Sequence, residues 1–268
     1  MEGFGKQSFE SAYQQPLPDE YFRSLAPLRY RTPDFCANLL PAVVAGIRQR
    51  TGRRQLKVID LACSYGINSA LLKCGLTFAD LAHRCLAPGD AARKPGEEIV
   101  QDAAFVKART IDPDLTVVGV DVSHPAIAYA LATGLIDAAV TTDLEHADPA
   151  EHEARALAGA DLVLATGAFS YLGATTFHRI LALQDLAPTV LGWPIYGSST
   201  TAVERCLTRH GLTVTHPQPA PRHQRDFADA RERDAYHSTL RRTKLPYLGT
   251  AAETSLCVTP ILARPLMR

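Results

Sequence analysis

Short runs of apolar residues recur along the chain at 57–62, 116–121, 138–142, 161–166, 188–193, 212–216 and 255–263. Stretches with helical periodicity separate the first five. Strands that are apolar almost throughout must be covered on both faces, so this alternation predicts a parallel sheet with helices on either side. The last two runs follow one another without a regular helix between them, which predicts an antiparallel pair at one edge. Ahead of the first strand, Thr32-Pro33-Asp34 reads as a helix start, with Thr32 as N-cap and Pro33 at an early helical position. That helix carries Leu39, Leu40, Val43, Val44 and Ile47 and ends near Gly52.

The first forty residues follow another pattern. Phe4, Phe9, Tyr13, Tyr21, Phe22 and Tyr30 are interrupted by Pro16, Pro18, Pro27 and Pro33, a density of proline that prevents a long helix. Aromatic residues need a surface to cover, so residues 1–40 are expected to form a cap over an α/β domain of residues 41–268. Between the first two strands the chain has room for two extra helices, 77–86 and 96–109, within an insertion at about 74–114. These are expected to pack beside the site or to form a homodimer contact. A proline-punctuated loop is expected at 217–221, and a charged surface segment at 222–242.

Composition narrows the function. Lys plus Arg total 28 and Asp plus Glu total 28, so the formal net charge is zero, without the basic stripe that nucleic-acid binding requires. No stretch approaches the roughly 20 apolar residues of a membrane span, and the N-terminus has no signal-peptide pattern. The six cysteines are dispersed without a C-x-x-C pair, which suits a reducing, cytoplasmic setting. The expected partners are small molecules only, with no nucleic acid and no membrane.

The candidate chemistry lies at the carboxyl ends of the strands, where open α/β sheets bind ligands. The first strand and its turn read Lys57-Val-Ile-Asp-Leu-Ala-Cys-Ser-Tyr-Gly-Ile-Asn-Ser-Ala-Leu-Leu-Lys73. An acidic residue ends the strand, and a small-residue turn leads into a helix. Asp121 sits at the tip of the second strand, where a carboxylate can accept two hydrogen bonds from ribose hydroxyls. Asp143 ends the third, at a depth suited to an adenine amino group. Each of these acids could instead cap the helix that follows it. The fourth strand opens into Thr166-Gly-Ala-Phe-Ser-Tyr171.

These four segments, in this order, resemble the class I S-adenosylmethionine-dependent methyltransferases from about Thr32 onward. In that family the first strand ends in acidic-x-Gly-x-Gly-x-Gly; here Ala62 and Ser64 replace two glycines and Gly66 retains the third. The resemblance implies a Rossmann-like fold of seven strands in the order 3-2-1-4-5-7-6, mostly parallel, with helices on both faces. It assigns Asp60 and Gly66 to the methionine part of S-adenosylmethionine, Asp121 to the ribose, Asp143 and Leu144 to adenine, and Thr166 and Gly167 to the sulfonium end, with Ala62, Ser64 and Val122 also among the cofactor-binding residues. Asp60 and Asp121 are 61 positions apart (121 − 60), far beyond the approximately 20 of a dinucleotide fingerprint. That spacing argues against a nicotinamide cofactor.

No Asn-Pro-Pro-aromatic tetrad follows the fourth strand, which disfavours amino-group methylation of bases or glutamine. No acid follows Thr166 to hold a divalent ion. His124, His146, His152 and His178 fall near strand ends or helix starts, none is read as part of a zinc-like spacing with cysteine, and no metal is expected. The remaining chemistry is aromatic and hydroxylic: Tyr171, Trp193, Tyr196, Ser198 and Ser199, with Tyr13, Tyr21 and Tyr30 from the cap. Aromatic faces attract a desolvated cation by about 2 kcal/mol. Such a box suits methyl transfer to a small-molecule acceptor or attack by the amino group of S-adenosylmethionine on its own Cγ. The latter closes a four-membered ring and expels 5′-methylthioadenosine.

The segments Cys63-Ser-Tyr-Gly-Ile-Asn68, Thr166–Tyr171 and Trp193-Pro-Ile-Tyr-Gly-Ser198 are similar to a bacterial branch that includes azetidine-2-carboxylate synthases. That resemblance implies Tyr171 as cation–π partner, Ser198 as the group that orients the amine, and Tyr30 as the residue that closes the pocket. A ligand-binding scaffold with a degenerate motif is the reading from another class.

Overall fold

The computed structural model describes residues 10–86, 94–167, 169 and 172–266. Its centre is a seven-stranded sheet ordered β3-β2-β1-β4-β5-β9-β6. The strands are β1 (Leu56–Leu61), β2 (Leu115–Val120), β3 (Ala138–Val140), β4 (Leu162–Ala165), β5 (Thr189–Gly192), β6 (Leu212–Thr215) and β9 (Ile261–Pro265). The first five are parallel, whereas β9 runs antiparallel to both β5 and β6. This is the expected order, with β9 in the seventh place.

Successive strand residues point to opposite faces, which divides the core. Ile59, Leu61, Val118 and Val120 pack on one face with helices α8 (Glu151–Leu157), α9 (Ala174–Leu181) and α10 (Thr201–Arg209). Leu56, Val58, Leu115 and Val117 pack on the other with α3 (Thr32–Thr51) and α7 (His124–Ala132). Leu40, Val43, Val44 and Ile47 are the buried stripe of α3. Helix α3 has Pro33 in its first turn and stops at Gly52, whose φ of 67° provides a left-handed C-cap. Arg31, one residue earlier than expected, is the N-cap. The helix runs continuously through position 40.

A third cluster joins the N-terminal segment to the insertion. Short helices α1 (Glu10–Tyr13) and α2 (Asp19–Leu25), with the segment between them, bury Ala12, Leu17, Tyr21, Phe22 and Leu25. Their partners include Phe78, Ala82 and Cys85 of α5 (Phe78–Cys85), Val106 of α6 (Pro95–Arg109), and residues of α4 (Ile67–Cys74) and α7. Thr77 and Asp80 form a capping box at the start of α5. Asp102 of α6 accepts from Tyr129 of α7 at 2.8 Å and from Arg84 of α5 at 2.7 Å.

Two expectations need correction. The run at 255–263 holds two strands, β8 (Ser255–Val258) and β9, divided at Pro260, which lacks the N–H needed to continue a ladder. Strand β8 pairs with β7 (Arg222–Asp226) in a separate two-stranded sheet. Nor is the charged segment 222–242 confined to the surface. Arg225 of β7 and Glu232 of α11 (Ala230–Arg242) are buried together, with bonds of 2.7 and 2.5 Å. Glu232 also accepts from the Ala228 amide. The charges that suggested solvent exposure instead satisfy one another inside the fold. Among the described residues no helix is long and apolar enough to cross a membrane.

Breaking a buried pair strands the surviving charge. Glu232→Ala is therefore expected to cost about 3–5 kcal/mol of stability in denaturant melts. A loss below about 1 kcal/mol would mean that the pair does not anchor the small sheet.

Candidate active site

The turn between β1 and α4 has the backbone of a glycine-rich loop without its full set of glycines. Ala62, Ser64 and Gly66 have φ values of 52°, 53° and 80°, so every second residue is left-handed. These are the three positions at which the family places glycine. For Ala and Ser this region is unfavourable. At Gly66 there is a second constraint, because a Cβ would come 2.9 Å from the Cβ of Leu135.

Asp121 holds this turn. One of its oxygens accepts from the Ser64 amide at 2.8 Å and the other from the Ser123 amide at 2.9 Å. Each oxygen keeps a free acceptor direction, since a carboxylate offers about four lone-pair sites. Burial raises the Asp121 pKa, opposed by those two amides. Val122, beside it, is 61% exposed, an apolar side chain at the open tip of the second strand.

Asp60 is the driest of the acids. It is fully buried, and one oxygen accepts from Asn68 Nδ2 at 2.9 Å. The same amide nitrogen donates to the Thr166 hydroxyl. Among the described residues the other Asp60 oxygen has no partner, nor have Asn68 Oδ1, Ser64 Oγ and Ser69 Oγ, all of them buried. Burial pushes Asp60 up to about 7, with Asp121 adding repulsion and Asn68 opposing the rise. The folded-state pKa therefore lies above the ordinary carboxylate value. The sign follows: stability falls as pH rises from about 4 through about 7, where the folded protein holds a proton that the unfolded chain has lost. A cationic ligand would reverse that penalty.

The cap lies over these groups. The Tyr65 hydroxyl shares its proton between the carbonyls of Ala12 and Gln15, at 2.9 and 2.8 Å, and Ser123 donates its hydroxyl to the Tyr13 carbonyl. Tyr21 stacks edge-on or tilted against Tyr13, Phe22, Tyr65 and Phe78, with centroids 5.2–6.2 Å apart. Tyr30 meets Phe78 at 5.4 Å, and its hydroxyl stands where a Cβ on Gly167, at φ 69°, would be. The cap is also tied to β7, by Arg31 N to Gln224 O and Asp226 N to Leu28 O at 2.7 Å each, and by a bidentate Arg29–Asp226 pair. Phe78 brings the insertion to the edge of the site.

The structure thus groups Asp60, Ala62, Ser64, Gly66, Asp121 and Thr166, with Tyr30 over Gly167. Other expected residues are engaged elsewhere. Asp143 is half exposed; it accepts from the Glu145 amide at 3.0 Å and pairs with His146 at 2.8 Å, which lowers its pKa. It sits at the turn that follows β3; the next helix, α8, has Ala150 as its N-cap. The Leu144 side chain belongs to the core. Ser198 donates its hydroxyl to Ile195 O at 2.6 Å, and Tyr196 donates to Pro246 O at 3.0 Å. Trp193 is buried in the core. Tyr171 lies outside the described residues.

Asn68 and Tyr65 were not singled out from the sequence. Both lie in the quoted 57–73 segment, and Asn68 enters the first turn of α4, where a side chain faces back toward the strand tip. A second omission is Cys206-x-x-x-His210, four residues apart on α10 and its C-cap.

No protein-family model matches the chain, and no curated protein matches it in sequence. Solved structures that it is similar to include a TehB-like SAM-dependent methyltransferase from Corynebacterium glutamicum, at 13% identity and a TM-score of 0.39, covering 84% of this chain and 91% of the other. Another is magnesium protoporphyrin IX methyltransferase from Synechocystis PCC 6803 with bound SAM, at 12% and 0.36, covering 84% and 78%. The [4+2]-cyclase SpnF matches at 10% and 0.39, covering 85% and 81%. The strand order of this chain is that of the Rossmann-like class I methyltransferase fold.

If the left-handed loop stores strain, glycine relieves it. Ala62→Gly and Ser64→Gly are each expected to raise stability by about 0.5–1 kcal/mol, after the entropy cost of glycine. Thermal melts that show a decrease in both would refute the strain.

Proposed function

We propose that the protein uses S-adenosylmethionine, and that it converts it to azetidine-2-carboxylic acid and 5′-methylthioadenosine. The observation that carries S-adenosylmethionine binding is the conjunction at the first two strand tips: three alternate left-handed residues, one fully buried and one partly buried carboxylate, and a set of buried acceptors unpartnered among the described residues. Asp60 Oδ2 and Asn68 Oδ1 are both acceptors, and they match an ammonium group, which has only donors. The spare lone pairs of Asp121 match the two hydroxyls of a ribose. The free amides of the first turn of α4 favour a carboxylate.

Cyclisation requires that the amine lose its proton, that the methionine chain fold back, and that the sulfonium remain shielded from water. Asp60, pushed up to about 7 by burial, is basic enough to take an ammonium proton at neutral pH. Asn68 fixes its orientation and links it to Thr166, at the end of β4. Tyr30 and Tyr21, held by the cap, cover the opening, and Tyr171 is proposed as the aromatic partner of the sulfonium. Ser198 acts through its lone pairs, since its proton is donated to Ile195.

Incubation of the protein with S-adenosylmethionine alone, followed by mass spectrometry, tests the reaction. Methylthioadenosine together with a four-membered imino acid is the expected result. Tight binding without turnover, relieved by a small-molecule acceptor that becomes methylated, would replace cyclisation by methyl transfer. Absence of calorimetric heat at sub-millimolar ligand would remove both.

The same site predicts a pH dependence of binding. Because an ammonium group needs ionised Asp60, affinity is expected to rise about tenfold between about pH 6 and about pH 8. Asp60→Asn should flatten that slope and weaken binding. An unchanged slope in the variant would assign the titration to another group.

A further inference from the structure

At the opposite end of the sheet, helices α9 and α10 bring three further side chains together. His178 lies in the last turn of α9, Cys206 is buried on α10, and His210 is the C-cap of α10. Their candidate ligand atoms all lie within 4.8 Å of one another. His178 Nδ1 and His210 Nε2 are 3.0 Å apart, with one ring N–H donating to the other ring's lone pair. Helices that follow parallel strands run back along the sheet, so the C-termini of α9 and α10 lie at the amino ends of the strands, away from Asp60 and Asp121.

We propose that His178, Cys206 and His210 bind one zinc-class divalent cation, with solvent supplying the remaining ligand. Two imidazoles and a thiolate form a donor set that selects zinc and its borderline-soft relatives over magnesium or calcium. Tetrahedral zinc places such atoms about 3.3–3.6 Å apart, and exposed His178 needs only a small side-chain rotation to open the 3.0 Å contact to that spacing. Cys206 and His210 project from one helix face at i and i+4. The carbonyl ends of two helices also converge there, and they favour a cation. Ligation by Cys206 must displace a proton from a thiol whose pKa burial raises, so uptake releases protons to the buffer. The ion would clamp α9 to α10 and leave the nucleotide site unaltered.

The test uses tag-free full-length protein stripped with a chelator and then titrated with Co²⁺ and with Zn²⁺. One Co²⁺ per chain is expected, with a thiolate-to-cobalt charge-transfer band in the near ultraviolet. Zinc at about a hundredfold excess over its Kd should raise the melting midpoint by roughly 5 °C. Cys206→Ser should abolish the band, and His178→Gln, at an exposed position, should weaken binding at least about tenfold while leaving the metal-free melting midpoint unchanged. Stripped wild type that gives neither band nor melting shift would overturn the proposal. So would a band of undiminished intensity in Cys206→Ser.

Discussion

The geometry of the candidate active site depends on one carboxylate holding one amide. Ser64 sits at a φ that serine rarely adopts, and its N–H points at Asp121 at the tip of the neighbouring strand. A charge-assisted bond of this kind is worth about 1.5–3 kcal/mol, comparable to the cost of one or two left-handed non-glycine residues. The loop therefore needs no second glycine. The strain is balanced by the strand pairing that places β2 beside β1, in register from Leu56↔Leu115 to Leu61↔Val120. Ala62 and Ser64 hold left-handed backbone because the restraint comes from a neighbouring strand.

The same bond explains why cap and insertion form one body. Asp121 also holds the Ser123 amide, and the Ser123 hydroxyl reaches the Tyr13 carbonyl. Tyr65, between the left-handed positions 64 and 66, reaches Ala12 and Gln15. The cap is thus attached to the turn that it covers. Behind it, Tyr21, Phe22 and Phe78 form an apolar cluster of their own, continuous with α4, α5 and α7. Packing that excludes water over Asp60 is the physical origin of its raised pKa.

Much of this was legible in the sequence, and the failures have identifiable causes. Strand positions followed from apolar runs and their alternation with helices, because a strand buried on both faces leaves little freedom in composition; the strand order came from the resemblance to the class I methyltransferases. The division of 255–263 was missed although Pro260 marked it. Arg225 and Glu232 were read as surface residues, since composition cannot show that two opposite charges seven positions apart on a strand and a helix will meet in the interior. Asp60, Asp121 and Asp143 all stood out as acids at strand tips, and Asp143 is half exposed and paired with His146. What separates them is burial, a tertiary property. Asn68 went unnoticed because an asparagine in a helix is usually unremarkable; only the turn geometry aims it at Asp60.

The three acids form a gradient from dry to wet. Asp60 is enclosed and half-satisfied, Asp121 is partly buried with both oxygens bonded, and Asp143 is open to solvent and paired with His146. Burial and the nearby Asp121 carboxylate raise the Asp60 pKa, and burial raises that of Asp121, so the ligand-free site holds less negative charge at neutral pH than two acids suggest. S-adenosylmethionine carries a sulfonium, an ammonium and a carboxylate, a net charge of one positive. On the proposed reading, its entry restores the second ionised acid while satisfying the unpartnered oxygen. Binding and proton release to solvent are then one event, and Asp60 takes a proton from the ammonium when the amine becomes the nucleophile.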